Sequence, residues 1–447
     1  LILSVSITVV FPSENFPLIL IMLVAIGAGI IYIKHPPLGL MVLIAGAFLI
    51  SYEIGTGTQT GLNIAVLLLP VLIGVWFIDK FVRQRDVQIF WSRTYLPLVG
   101  FVIVCLLAFA IGQLPFFVFA DQAPIRSQIG GLAIFLLSAG AYALTANIIP
   151  DIRWLKRLTI VFILMVSAYL LVRLIFQMDR SLDEWMPRGA TGSVLWIWIA
   201  AVSFSQFLIN RDLKLILRAA LLGIVGLSLY LTLIGEFGWK SGWIPQLAVI
   251  GVITWIQFPR LRIILAIGGA YAIYEMSAEL IQSDQYSYIT RIEAWKIMMG
   301  EIIKVNPLLG LGPANYRFYT PLFPIMGYYV EFNSHNNYID MIAQIGVLGL
   351  VFYLWFSWEI INVGWGLIKK QLDNFSQAYV IGAMGGLVGM LIAGMLGDWV
   401  IPFVYNVGIS GFRVSVLGWI FLGGIVVIER LINNQEIGIQ NDTNAPD

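Results

Sequence analysis

Cysteine is almost missing: Cys105 stands alone in 447 residues, so no disulfide can form within the chain. Set inside an apolar run, it reads as a small core hydrophobe. Histidine is nearly as scarce, with only His35 and His335. No Cys/His spacing of a zinc site is present, and no phosphate-binding P-loop. Charge is thin as well. Charged residues make up 11% of the chain, against about 25% in a soluble domain. The net charge of +1 says little, because in membrane proteins placement matters more than the sum, and no basic nucleic-acid surface is evident. In their place stand apolar residues, 59% of the chain, with a mean hydropathy of +0.88. Many apolar runs approach the roughly 17–25 residues that span a bilayer as helix. The fold class follows: an all-α polytopic membrane protein.

The apolar stretches lie at about 1–11, 17–33, 37–52, 61–79, 95–112, 129–149, 155–176, 191–210, 213–235, 242–258, 261–277, 337–366, 376–400 and 405–429. About 12–14 transmembrane helices are expected. The chain opens on Leu1 rather than Met, and no cleavable signal peptide is expected. Pro36, Pro37, Pro97, Pro150, Pro259 and Pro402 sit near the junctions, where a missing N–H costs least. Four regions emerge: N-terminal membrane helices over 1–277, one large loop over 278–336, C-terminal membrane helices over 337–430, and an Asn-, Gln- and Asp-rich tail over 431–447 that is expected to be disordered.

Lys and Arg orient the chain. Sixteen of the 26 fall in one alternate set of loops, from Lys34 to Arg430. Eight fall in the other: Arg126, Arg180, Arg188, Lys240, Arg291, Lys296, Lys304 and Arg317. By the positive-inside rule the first set faces the cytoplasm. The large loop, and with it His335, Arg188 and Arg291, therefore faces outward. A donor for chemistry there must already have crossed the membrane.

Within the loop, T-R-I-E-A-W-K-I-M-M-G-E-I-I-K-V-N-P reads as an amphipathic helix, with Ile292, Trp295, Met299 and Ile302 or Ile303 at helical spacing. Thr290 is its expected N-cap and Glu293 the capping-box partner. Leu308–Pro313 reads as a turn, followed by an aromatic patch that includes Tyr316, Phe318, Tyr319, Tyr328 and Tyr329. Asn333 or Ser334 is expected to cap the next membrane helix, which puts His335 in its first turn. The positive helix end and nearby arginines disfavour imidazolium there, leaving a neutral ring ready to take a proton. The plainer alternative is an interfacial polar residue that starts a helix. For His35, in the short turn K-H-P-P, the plain reading prevails.

These residues carry a resemblance. The run T-R-I-E-A-W-K…N-P-L-L-G-L-G-P-A-N-Y, followed by S-H-N-N-Y-I-D-M-I-A-Q-I-G-V-L-G-L, resembles the O-antigen ligase and polymerase family of bacterial envelopes, densely over about 290–350. The resemblance implies a GT-C-like fold in the bacterial inner membrane. It also implies an inverting, metal-independent and cofactor-free glycosyl transfer from an undecaprenyl-pyrophosphate-linked oligosaccharide. The acceptor would be lipid A-core in a ligase, or a second carrier-linked unit in a polymerase. The partners are those glycans and membrane lipids, with no nucleic acid. The family's essential histidine matches His335. Its arginine at the start of the loop helix matches Arg291, and an earlier arginine closely followed by glycine matches Arg188 in M-P-R-G-A-T-G-S, though the usual asparagine a few residues on is not evident. Many members carry an acidic residue two before the glycine of the final helix motif, where this chain has Gln344.

The residue types suit that chemistry. Arg matches a diphosphate as a planar, bidentate cation, and stabilising the leaving oxygen lowers the barrier itself. A neutral His within reach is a suitable base for an acceptor hydroxyl. Arg126, Arg413, Asn336 and Tyr316 are further candidates for substrate contact. Arg413, in an apolar helix, is expected either to pair with Asp398 or to meet a phosphate. Two other readings stay open. Asp179, Asp183 and Glu184 could ligate a hard cation in a metal-dependent transferase. A transporter or flippase would want internal repeats, which the sequence does not show.

Overall fold

The computed structural model describes residue 29 and residues 32–55, 61–85, 90–175, 191–283 and 285–443. From residue 37 onward, a helix forms at each apolar stretch. These are α1 (Pro37–Leu49), α2 (Ile64–Phe77), α3 (Tyr95–Ile111), α4 (Ile125–Ile148), α5 (Ile152–Ile175), α6 (Ser193–Ile209), α7 (Leu215–Leu229), α8 (Lys240–Gln257) and α9 (Arg262–Ser283). The chain continues with α10 (Gln285–Ile297), the short α11 (Tyr316–Tyr319), α12 (Asn337–Ile368), α13 (Asn374–Leu396) and α14 (Gly408–Thr443). A two-residue hairpin, β1 (Ile54–Gly55) with β2 (Gly61–Leu62), is the one sheet among the described residues. The protein is an all-α polytopic membrane protein. Seven of the described helices are long and apolar enough to cross a membrane, and α1, α3 and α6 are shorter apolar helices.

Helix α14 is apolar all round, and the hydrophobic window within Gly408–Glu436 is wholly buried. A helix without a polar face belongs at the centre of a bundle. It packs along α4, while α13 lies against both α6 and α8 and α12 lies against α3. Trp198 stacks on Phe421 at 4.9 Å and Phe356 on Trp419 at 5.6 Å. The tail expected to be disordered differs in part: α14 runs on as helix to Thr443, through Gly438.

Arg413 does not pair with Asp398. It is fully buried and joins Glu53 at 2.7 Å, while its other nitrogen donates to the carbonyl of Ile50 at the end of α1. Ser410 holds the second Glu53 oxygen at 2.9 Å. Burying a guanidinium demands such a partner, and Glu53 lies closer across the bundle than the spacing along the chain suggests.

The loop helix also differs from expectation. Thr290 is no cap: its hydroxyl donates to the carbonyl of Tyr286 inside α10, and Glu293 accepts instead from the backbone N–H of Met326. The helical run begins at Gln285, so no free helix end remains at 290 to be capped. After α10 the chain makes a π turn (Met298–Ile302) and a 3-10 turn (Ile303–Val305). The loop has a small core of its own, where Met298, Ile302, Leu311, Tyr316 and Tyr319 pack with Ala343 and Phe403.

The segment after the 3-10 turn is locked into α12. Leu311 N–H donates to Ala343 O at 2.9 Å and Gly312 N–H to Gln344 O at 3.1 Å; in return Val347 and Leu348 donate to Pro307 O and Leu308 O at 2.8 and 3.2 Å. α12 is broken at Gly346, whose φ of 72° and ψ of 179° free these groups from the helix ladder. A Cβ there would collide with the Leu308 carbonyl, and one on Gly310 (φ 70°) would sit 2.6 Å from the Gln344 carbonyl carbon. Only glycine combines that backbone with so close an approach. The Gln344 side chain completes the lock by accepting from Ala314 N–H at 3.1 Å.

Candidate functional site

One end of the bundle gathers the N-termini of α4, α8, α12 and α14 with the C-termini of α1, α3 and α13. Contacts fix this grouping: Asn315 bonds to Gly112 O and Ala123 N, Asn337 to Ile401 O, and Arg413 to Ile50 O. At this end a cavity of about 460 Å³ is lined by Lys240, Tyr288, Arg291, His335, Asp398 and Asn406, among others. Trp239 and Trp399, edge to face at 5.7 Å, form part of its wall.

His335 is not in the first turn of α12. The N-cap is Asn336, whose side chain accepts from Tyr338 N and Ile339 N at 3.0 and 3.3 Å. His335 precedes it with φ at +51°. A left-handed conformation in a residue with a Cβ costs roughly 1–2 kcal/mol and persists only where its neighbours enforce it. Ser334 does so. Its hydroxyl donates to Asp340 Oδ1 at 2.6 Å and accepts from Asn336 N at 3.0 Å, its N–H donates to Tyr316 Oη, and its carbonyl accepts the Trp295 indole N–H at 2.8 Å. Tyr316 Oη donates to the same Asp340 oxygen at 2.5 Å. The residue before the imidazole is thus held through its N–H, carbonyl and hydroxyl.

Trp295 also sets the opposite wall, since it lies one helical turn from Arg291 on the same face of α10. The result is an arginine and a histidine facing one space. Burial, and after it the Arg291 guanidinium, hold the His335 imidazole below the ordinary histidine value of 6.5. Phe332 meets the ring edge to face at 6.2 Å. On its other side, Asn406 Nδ2 lies 3.1 Å from His335 Nδ1 and 2.5 Å from Asp398 Oδ1. Asp398 is buried and its Oδ2 accepts from Phe403 N at 2.9 Å. Burial raises this carboxyl against the hydrogen bonds it receives.

The structure brings His335 and Arg291 together and leaves other expected residues apart. Arg188, with Asp179, Asp183 and Glu184, lies outside the described residues. Arg126, in the first turn of α4, does not line this cavity. Arg413 is committed to Glu53. Asn336 is a helix cap, and its amide donates to Met395 O. Tyr316 is buried, stacked on Phe403 at 4.7 Å, and supports the His335 turn from behind. Much of the aromatic patch is spent likewise: Tyr319 is buried against Phe117 at 4.8 Å, while Tyr328 and Tyr329 stay exposed. Arg317 is taken up by Glu331, Asn333 and the carbonyl of Tyr405. Sequence reasoning missed Lys240, Asp398 and Asn406 as site residues. Their common signal is a polar residue at the mouth of an apolar helix, which the chain offers in many places.

These features define a class: a multi-pass helical membrane protein with an imidazole and cations in one cavity at the end of its bundle. Residues 188–354 match the family model described as O-antigen ligase. The matched segment contains Lys240, Arg291 and His335, and in it the chain is similar to the O-antigen ligase family. Asp398 and Asn406 lie beyond the matched residues. No curated protein matches the chain.

Proposed function

We propose that the protein is a membrane glycosyltransferase of the ligase type, working on the outer face of the inner membrane. It transfers a glycan from an undecaprenyl-pyrophosphate carrier to an acceptor hydroxyl. The acceptor oxygen attacks C1 of the first sugar, the bond from C1 to the phosphate oxygen breaks, and the configuration inverts. The hydroxyl proton passes to His335, and the carrier leaves as its diphosphate. Arg291, together with Arg188, holds that diphosphate and stabilises the charge growing on the leaving oxygen. The reaction as written needs no metal ion.

The single observation that supports this reading is the shared cavity of His335 and Arg291. A neutral imidazole beside a guanidinium suits a step that takes a proton from one substrate and delivers negative charge to another. The cation distribution among the loops supports an outward-facing cavity, the side on which a donor that had crossed the membrane would be met. A polymerase of the same family would use the same cavity with a second carrier-linked unit as acceptor.

The test is transfer in vitro from a purified carrier-linked glycan, with lipid A-core and a second carrier-linked unit offered in competition. His335→Ala and Arg291→Ala should each abolish transfer while the protein remains folded. Full activity in either variant ends the assignment. Product on the second carrier-linked unit alone replaces ligase by polymerase.

A further inference from the structure

We infer that Asn406, itself held by Asp398, decides which ring nitrogen of His335 carries the proton, and so acts as a positioning residue for the imidazole. The inference rests on the reading of His335 as the base. Both residues belong to the connection between α13 and α14. This connection is tied to the start of α12 by Asn337, which donates to Ile401 O at 2.7 Å and accepts from Val400 N at 3.0 Å.

The hydrogen-bond inventory carries the argument. Asp398 Oδ2 is occupied by the N–H groups of Phe403 and, at 3.4 Å, Val407. Asp398 Oδ1 faces Asn406 Nδ2. An ionised carboxylate only accepts, so the Asn406 amide must turn its NH2 group toward it. The second hydrogen of that NH2 group points at His335 Nδ1, which then accepts. In this state the neutral ring bears its hydrogen on Nε2 and can only donate from there.

The opposite state follows when Asp398 gains a proton. Its O–H donates to the Asn406 oxygen, the amide turns over, and the same oxygen accepts from His335 Nδ1–H. Nε2 is then a bare lone pair, able to take the acceptor's proton, and the imidazolium formed keeps its Nδ1–H on Asn406. Base action at Nε2 therefore requires the turned amide. The burial that raises the Asp398 carboxyl favours that state. Arg291 from α10 and Lys240 from α8 are the cations facing the same cavity, and Asp340 lies behind it on Ser334.

The small number of histidines makes the test direct. His35 sits far from the cavity, beside Trp154 before α1, so His35→Gln leaves one imidazole in the full-length protein. The measurement is the 15N chemical shift of both ring nitrogens against pH, in detergent or nanodiscs. Asn406→Asp presents a carboxyl that accepts from Nδ1–H. It should move the ring hydrogen to Nδ1 and carry both the ring titration and the acid limb of transfer about tenfold in proton concentration toward higher pH. Asn406→Leu removes the link, and the two tautomers should mix. Wild-type shifts and titration in both variants overturn the inference. Should Asn406→Asp not fold, Asn406→Leu decides alone. The reading of His335 as base is tested apart from this, by activity in His335→Ala, so either can fail without the other.

Discussion

Gly346→Ala probes the lock between the loop and α12. Alanine at a φ of 72° carries a left-handed cost of roughly 1–2 kcal/mol. Its Cβ would also collide with the Leu308 carbonyl, which is backbone and cannot swing aside. Relief requires the two chains to part locally, which breaks the bonds from Val347 to Pro307 O and from Leu348 to Leu308 O. Each lost hydrogen bond costs about 0.5–1.5 kcal/mol net, so with the backbone cost the total comes to about 2–5 kcal/mol. At about 2 °C per kcal/mol, the lower end for larger domains, the melting temperature should fall by roughly 4–10 °C. Intrinsic fluorescence in detergent reads this well, with fifteen tryptophans in the chain. Gly300→Ala is the control, because an added Cβ there meets nothing within 4 Å. The same variant should lose transfer, since the locked segment carries Tyr316 to Asp340 and so supports the His335 turn. Gly346→Ala melting alongside Gly300→Ala would refute the reasoning.

Four further outcomes are expected. His335→Ala should lower the rate of transfer by about 10²–10⁴-fold, the usual worth of a general base, with the carrier-linked donor still bound; a smaller loss removes the base role. On its acid side, transfer in the wild type should decline only below 6.5, because protonation of a ring held under that value ends base action; on its alkaline side it should fall as Asp398, whose carboxyl burial raises, loses its proton. Arg291→Gln deletes a cation that disfavours imidazolium, so the limb of whatever activity remains should shift to higher pH; a shift to lower pH contradicts the assigned electrostatics. Glu53→Ala leaves Arg413 buried and unpaired, which should destabilise the protein by about 3–5 kcal/mol, seen as a lower melting temperature; an unchanged one shows that the pair contributes nothing.

The membrane class and the helices were legible because an apolar run of bilayer length must satisfy its backbone within itself, and a helix does so. His335 and Arg291 were legible as a pair through the motif that surrounds them. What escaped was local and spatial. Thr290 and Glu293 have the right spacing for a capping box, but the helix starts five residues earlier and leaves no end to cap. Asn333, Ser334 and Asn336 are all suitable caps, and the choice falls on Asn336 because Asp340 and Tyr316 engage Ser334. Arg413 and Glu53 are 360 residues apart, and no periodicity relates them. Gln344 departs from the acidic residue expected there, yet its amide oxygen holds the Ala314 N–H. Asp398 and Asn406 owe their place to a connection whose shape only the assembled bundle determines.

The clasp around Gly346 also governs how rigidly the imidazole is presented to its cavity. The wall that bears His335 is pinned to a membrane helix by backbone bonds on both sides of the break, and it behaves as an anvil. The facing wall is fastened to it: Trp295, one turn along α10 from Arg291, donates to the Ser334 carbonyl, and Glu293 accepts from Met326 N–H. Guanidinium and imidazole therefore ride on one frame, and the gap between them is set before anything enters it.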